Sequence, residues 1–585
     1  MAEQIVSPGV FQRETDQSFI TPAPVEVGAA IVGPAVRGPV ERPTVVTSFA
    51  DYKNKFGTTF VSASDNLEFF TSIAVQKFFA NGGNSILVTR VATGSFTGAT
   101  STHISASDKA STQPFTLETL GTGEVMNNST ALLDGGKQFG DGSLMTGSRD
   151  NLRYEISGIN NTAGTFNVSV RRGDDNRQNK IVLETFVGCS LDPKSDNFIS
   201  KVIGDQTTEV TTQEGQTFIK IVGDYANQSK FIRVASVNLK TDDYILNDGS
   251  VGTDAVGIPY SASLPINQSG SFFDGTGTND SSGGVNGPLN CFENINSDNA
   301  QGLQASDYTT ALNILKNTDE YRFATLTLPG IYNADYAGAV ASAVELCETR
   351  GDCFYIADMV PYGSDVTTVT GEAGELNTNF AGTYWPWVKV PSTELSRNVW
   401  APASTVMQGV YAFNDRVAAP FFAPAGLNRG GLPIVRSEFK VTQALRDKLY
   451  DNKVNPIATF PRVGPVAFGQ KTLQKKASAL DRINVRRLLI TLKNFIGDTS
   501  KNLVFEQNTT QTRNRFLNAV NPFLESIQQR QGLFAFRVVM DETNNTAEAI
   551  DRNQLVGQIF IHPTKTAEFI VLDYTIQPTG ATFND

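Results

Sequence analysis

Phe323-Ala324-Thr325-Leu326-Thr327-Leu328, then Asp335 to Arg350, then Cys353-Phe354-Tyr355-Ile356-Ala357-Asp358 is the stretch that decides the fold. Its outer pieces are short apolar runs of the kind seen in strands buried on both faces, and the alanine-rich piece between them predicts a helix. Strand, helix and strand in that order predict a right-handed βαβ unit with both sheet faces covered. The same texture lies near the N-terminus. Ala29–Val32, Thr44–Thr47 and Ile86–Val91 read as strands. Asp65 is expected to cap a helix carrying Leu67, Phe70, Ile73 and Phe78, which Gly82-Gly83 would stop.

Between these regions the pattern changes. Phe166–Val170 and Phe218–Val222 are short alternating segments separated by Gly, Asp and Asn, an all-β texture. In 241–300, Gly, Ser, Thr, Asn and Asp make up 36 of 60 residues, so long turns are expected there. The simplest organisation is one α/β domain built from both ends of the chain, with 97–300 inserted as a β-rich lobe. The first 24 residues, punctuated by Pro8, Pro22 and Pro24, are too polar to fold alone and read as an arm that orders on a partner, or as a frayed terminus.

Bulk properties narrow the function. The chain has 585 residues, a prior for about four domains. At 40% hydrophobic and 18% charged it can bury sizeable cores. A net charge of −11 argues against general nucleic-acid binding. Four cysteines cannot form a disulfide scaffold in a chain of this length, and two histidines leave little room for His-based catalysis or metal binding. No apolar run approaches the ~20 residues of a membrane helix, and the first residues lack signal-peptide character. These features predict a soluble, non-enzymatic protein. The charge is also segregated. Residues 241–315 hold nine acids and no Lys or Arg, whereas 471–537 hold twelve Lys/Arg against four acids. Opposite signs on separate segments suit two solvated surfaces, or self-assembly and docking on an acidic partner.

Candidate chemical motifs dissolve on inspection. Gly464 to Thr472 resembles a phosphate loop, but Gln470 separates Gly469 from Lys471 and Pro465 removes an N–H donor, so a turn leading into a basic segment is expected. Cys347 and Cys353 read as buried free thiols, and His562 as a structural histidine, because no orienting carboxylate or nucleophile accompanies it. The Asp/Asn/Gly run at 274–284 lacks the alternating acids of a calcium loop. No catalytic, cofactor or metal residues are assigned. On a helical wheel of 481–496, Val485, Leu488, Leu489, Leu492 and Ile496 share one arc of about 100°, with Arg482, Arg486 and Lys493 beside it and Ile483 and Ile490 on a further side. The expectation is a largely buried helix with a narrow basic strip. A second helix over Thr512–Gln529 carries Arg513 and Arg515 near its start, where the helix dipole disfavours them, so another requirement is expected to place them. Ile570, Leu572, Tyr574 and Ile576 line one face of a predicted terminal strand, and Val10 and Phe11 begin another at the opposite end. Such strands pair within the chain or add to a neighbour's sheet.

Several motifs together resemble the contractile tail sheath proteins of myovirus-type, T-even-like bacteriophages. They include Ser7-Pro8-Gly9-Val10, Gly33 to Pro39, Phe78 to Gly83, Tyr384-Trp385-Pro386-Trp387 and Ala423 to Gly430. Arg446 to Tyr450 with Asn455-Pro456, Gly469-Gln470-Lys471-Thr472, Asp481 to Leu488, Thr543 to Thr546 and Glu568-Phe569-Ile570 follow in order. Their joint order covers about 1–95 and 320–585, and the insertion carries no such signature. Ala401-Pro402-Ala403-Ser404 departs from the double proline of many relatives. The resemblance implies a homo-oligomer of stacked hexameric rings around a tail tube, in a virion assembled in the host cytoplasm. It implies tail tube, baseplate and tail terminator proteins as partners, with no nucleic acid and no membrane insertion. Contraction would be a bistable change of packing that needs no nucleotide.

The implied fold class is α/β (α+β) multidomain. Its parts are an arm at 1–24, first core part at 25–96, outer lobe at 97–300, second core part at 301–440 and C-terminal sheath domain at 441–585. Lys475, Lys476, Arg482, Arg486, Lys493, Arg513 and Arg515 would face the tube, and the two terminal strands would pair between subunits. The rival reading is a phage or surface β-protein that binds glycans or a receptor through 241–300; binding of cells or sugars by that lobe alone would favour it.

Overall fold

The computed structural model describes residues 26–568 except 37, 63–64, 93–97, 110, 121–151, 174, 177 and 274–291. The fold is mixed α/β, with several sheets and helices. Its centre is an eight-stranded sheet made from β1 (Ala29–Gly33), β2 (Thr44–Val46), β3 (Ile86–Arg90), β4 (Thr325–Tyr332), β5 (Phe354–Asp358), β6 (Ala381–Trp385), β7 (Val454–Phe460) and β8 (Gly464–Ala467). The spatial order is β8-β7-β6-β5-β4-β1-β3-β2. All neighbours are parallel except the two edge strands β8 and β2. Segments from both ends of the chain meet at β4 and β1, where Leu326 pairs with Ala30.

Burial on both faces explains the strand composition. Ala30 and Val32 of β1 enter one core with Leu326 and Ile356, while Ala29 and Ile31 enter another with Val88 and Phe78. The predicted βαβ unit is present: α2 (Asn333–Arg350) joins the parallel β4 and β5, with Thr325 opposite Phe354. Two further helices cover the sheet, α1 (Phe70–Ala80) and α3 (Ser404–Val417), and they pack against each other.

One helix boundary differs from the expectation. Asp65 does not cap a helix; Asp65–Glu68 is a strand paired with Thr59–Ser62. The first free N–H of α1, on Phe70, instead donates to Gln301 Oε1 at 2.9 Å. Glu68 accepts from the Ser72 hydroxyl at 2.6 Å and from the Ser392 hydroxyl. A cap drawn from a residue so remote in sequence leaves no local signature. The 464–472 stretch also departs from a simple turn, because its first four residues form β8 on the sheet edge.

The inserted segment carries a seven-stranded sheet and a core of its own. Its strands, in spatial order, are Val182–Ser190, Thr165–Arg172, Leu152–Asn160, Gln268–Phe273, Thr100–Ser101, Phe115–Thr119 and Ile232–Val237. Alternate residues such as Tyr154, Ile156, Phe166, Val168 and Val170 fill that core. The lobe touches the α/β part where the Arg42 guanidinium donates to Thr208 O at 2.9 Å.

The C-terminal region adds α4 (Ile483–Lys501), α5 (Thr510–Gln529) and the two-stranded β9 (Leu533–Val539) and β10 (Gln558–Pro563). They close over a fourth core of Leu488, Leu492, Phe516, Val520, Leu524 and Ile527. Cys347 and Cys353 are buried free thiols 3.3 Å apart. His562 sits at an exposed position of β10, opposite Ala535. Among the described residues, no helix is long and apolar enough to cross a membrane, and no cluster of His, Cys, Asp and Glu could hold a metal ion.

Candidate functional site: the charged junction along α4

A line of charged residues follows α4, which crosses the amino ends of four parallel strands in sheet order. Arg482, just before the helix, lies 6.0 Å from the Tyr450 ring ahead of β7. Arg486 donates to Asn379 Oδ1 at 3.1 Å ahead of β6. Lys493 lies over Gly351 ahead of β5. Asp498 receives two hydrogen bonds, 2.6 and 2.7 Å, from Arg322 ahead of β4. The helix therefore acts as a crossbar under the sheet.

Its first half is embedded. Ile483, Asn484, Val485, Arg486, Arg487 and Leu488 are all buried, so the apolar arc read from the wheel describes only part of what is covered. Arg486 is 3% exposed and stacks on Phe380 at 4.1 Å, and its Nε and Nη2 have no hydrogen-bond partner among the described residues. Burial lowers its pKa to about 10, so it stays charged at neutral pH. Arg487, which the sequence reading passed over, is equally buried; it pairs with Asp415 at 2.5 Å and lies over the Tyr411 ring. The Tyr411 hydroxyl is 2.9 Å from that of Tyr384.

At the head of the helix the Glu568 carboxylate is held from three sides. Its Oε1 accepts from Arg482 Nε at 2.7 Å and Gln470 Nε2 at 3.0 Å; its Oε2 accepts from Arg482 Nη2 and the Tyr450 hydroxyl, both at 2.9 Å. A two-pronged guanidinium–carboxylate pair is among the stronger polar contacts and fixes orientation as well as distance. Burial pushes the Glu568 pKa up, but donation from Arg482, Gln470 and Tyr450 outweighs it and holds the carboxyl below the usual glutamate value. Asp481 flanks Arg482 at 3.0 Å. Four separate sequence motifs, those containing Tyr450, Gln470, Arg482 and Glu568, thus meet at one point.

The second half of α4 is open. A cleft of about 200 Å³ lies between it and the amino edge of the sheet, lined by Arg322, Arg350, Asp352, Lys493, Asp498 and Lys501. Arg322 pairs with Asp498, Arg350 with Asp352 at 2.8 Å, and Lys501 with Asp319 at 3.7 Å. Lys493 makes no ion pair among the described residues, and burial followed by the nearby Arg486 charge lowers its pKa. Lys475 and Lys476 are exposed in the loop before the helix, beside Asn377 at the same edge of the sheet.

These positions sort the proposed tube-facing residues. Lys475, Lys476 and Lys493 are on the surface, as is Arg515, which is 3.8 Å from Glu506. Arg486 and Arg513 are buried within the chain, and Arg482 is tied up by Glu568 and Asp481. Arg513 donates to Asn508 Oδ1 at 2.8 Å, and Asn508 donates to Gln554 O at 2.9 Å. Pinning the chain that enters α5 is the requirement that sets a cation in its first turn. Val10, Phe11, Ile570, Leu572, Tyr574 and Ile576 lie outside the described residues.

Residues 475–577 match the family described as phage tail sheath C-terminal domain. This span contains α4, α5, β9, β10 and Glu568. The chain is 42% identical over 188 residues to a tail sheath protein of Vibrio phage KVP40, and 38% identical over 189 residues to that of Enterobacteria phage T4. Each match covers 32% of this chain, and 28% and 29% of those proteins, so it spans less than a third of the curated relatives. A sheath tail protein from Listeria innocua of known structure aligns over 89% of this chain and 90% of its own, at 10% identity and a TM-score of 0.49.

Proposed function

We propose that this chain, a relative of phage tail sheath proteins through its C-terminal domain, is the repeating structural subunit of a contractile tail sheath. The family match over 475–577, which takes in α4, α5, β9, β10 and Glu568, carries the reading. In it, subunits polymerise as stacked hexameric rings around a tail tube in the virion, after assembly in the host cytoplasm. Baseplate and tail terminator proteins bound the sheath at its ends. Contraction drives the tube through the host envelope during genome delivery. The outer lobe faces solvent, and the terminal segments pair as strands with neighbouring subunits.

The geometry suits such a role. A sheath must hold each subunit rigid while its contacts to the tube stay weak enough to release. The buried arginines of α4 serve the first need and the exposed lysines the second. An exposed ion pair contributes at most ~1 kcal/mol, and salt screens it beyond ~8–10 Å. Lys475, Lys476 and Lys493 can therefore steer the register of an acidic tube without locking it. The work of contraction would come from many copies each gaining a few kcal/mol between two packed states, on the order of the gap between two such conformations. Negative-stain microscopy of the purified protein tests the class: long ringed tubes are expected, and monomers under every assembly condition would contradict it.

A further inference from the structure

The segment after β10 returns to the core before the chain continues past Glu568. Thr564 N donates to Gly532 O at 3.2 Å, Thr566 Oγ1 accepts from Gln470 Nε2 at 2.5 Å, and Glu568 is gripped by Arg482, Gln470 and Tyr450. None of these partners belongs to β9 or β10. Arg482 leads into the buried half of α4, Tyr450 lies near the end of the helix (Gln443–Asp451) that leads into β7, and Lys471 Nζ donates to Tyr450 O at 2.8 Å.

The geometry of β9 and β10 shows what this grip could do. The two strands pair antiparallel, with Pro563 at the end of β10 opposite Leu533 at the start of β9. Tension on the chain after Pro563, resisted by α5 through Leu533, acts on the same end of the pair. Its cross-strand hydrogen bonds would then break one at a time, and a two-stranded sheet has little stability of its own to resist this. A guanidinium–carboxylate pair placed five residues beyond the strand intercepts the pull first.

We propose that the Glu568 cluster is a strain relief: it passes tension on the chain beyond Glu568 to α4 and the eight-stranded sheet, and so shields β10 from peeling. Its use in the assembly rests on the reading above, in which a neighbouring subunit grips the chain end. The cluster itself can be tested without it. Arg482, Gln470 and Tyr450 act here as positioning residues for the segment that follows.

The test is single-molecule pulling of the full-length protein between Glu375→Cys, an exposed position on the core, and the C-terminus. The wild-type protein should show no early release of β9 and β10. Glu568→Gln should lower the first rupture force at least twofold and add a first step of roughly 120 Å, the contour of residues 533–568. Tyr450→Phe, which removes one donor and leaves the charge pair, should fall between the two, and serves if Glu568→Gln does not fold. An unchanged first rupture in both variants, or release of β9 and β10 first in the wild type, overturns the proposal. Failure of the wild-type protein to form tubes would count against the sheath reading and leave the rupture comparison standing.

Discussion

The two halves of α4 both carry positive charge and treat it in opposite ways. In the first half Arg486 and Arg487 are 3% exposed, stacked on aromatic rings and bonded to Asn379 and Asp415. In the second half Lys493 stands at an open cleft with no ion pair among the described residues. The choice of cation follows the burial. A guanidinium is planar, stacks on rings and is weakly hydrated, so it tolerates burial; an ammonium is a strongly hydrated point charge that belongs at the surface. Positive charge along one helix therefore divides into a part that holds the subunit together and a part that is free to meet a partner.

Breaking that division should cost most at Arg487. Arg487→Ala leaves the Asp415 carboxylate without its partner and opens a void beside Tyr411. Breaking a buried pair typically costs ~3–5 kcal/mol; because Asp415 is about a third exposed, the lower end, ~3 kcal/mol, is expected. Chemical denaturation would read it. A loss below ~1 kcal/mol would mean that the embedded half is not the structural half.

Titration of the sheet's opposite end should be the next largest effect. Burial raises the Asp358 pKa to about 7, against hydrogen bonds from the Ser404 hydroxyl and backbone N–H that lower it, and burial likewise raises Glu438 to about 7. Both carboxyls hold a proton in the folded state that the unfolded chain releases near pH 4. Their contribution to stability is thus fully present below that point, falls as pH rises from about 4 to 7 and levels off above it. Denaturation midpoints at pH 5 and 8 should differ in that direction, and Asp358→Asn should flatten the difference.

A smaller loss is expected from Arg513→Ala. It removes the hydrogen bond to Asn508 and relieves an unfavourable charge at the α5 start, for a net loss of ~1 kcal/mol. The smallest effect belongs to the exposed half. Lys493→Glu should change stability by no more than ~0.5 kcal/mol, as surface substitutions do. A large loss there would erase the contrast between the two halves.

The parallel sheet was legible because strands buried on both faces leave unbroken apolar runs, such as Phe323–Leu328 and Phe354–Ala357. The apolar arc of α4 was legible for the same reason, through its helical period. What the sequence could not reveal are contacts between residues far apart along the chain. Gln301 caps Phe70, Asp415 pairs with Arg487, and Glu568 closes on Arg482. Each joins two polar residues whose local surroundings suit a solvent-exposed loop equally well. Arg486 and Lys493 fall on one side of a wheel, yet the wheel carries no information about where the sheet edge covers the helix and where it stops. Arg513 is instructive in another way. Its unfavourable place at a helix start signalled a further requirement, and within the chain Arg513 donates to Asn508.

On the proposed reading, the uncovered lysines steer this subunit onto an acidic tube and the buried arginines do not. Charge reversal of Lys475, Lys476 and Lys493 to Glu, followed by co-assembly with the tail tube at low salt, decides between these roles. Sheath-only tubes should still form, assembly around the tube should be impaired, and a matching reversal on the tube should restore it. Unchanged assembly around the tube by the triple variant would contradict the claim and move the contact to the surface that carries Arg515.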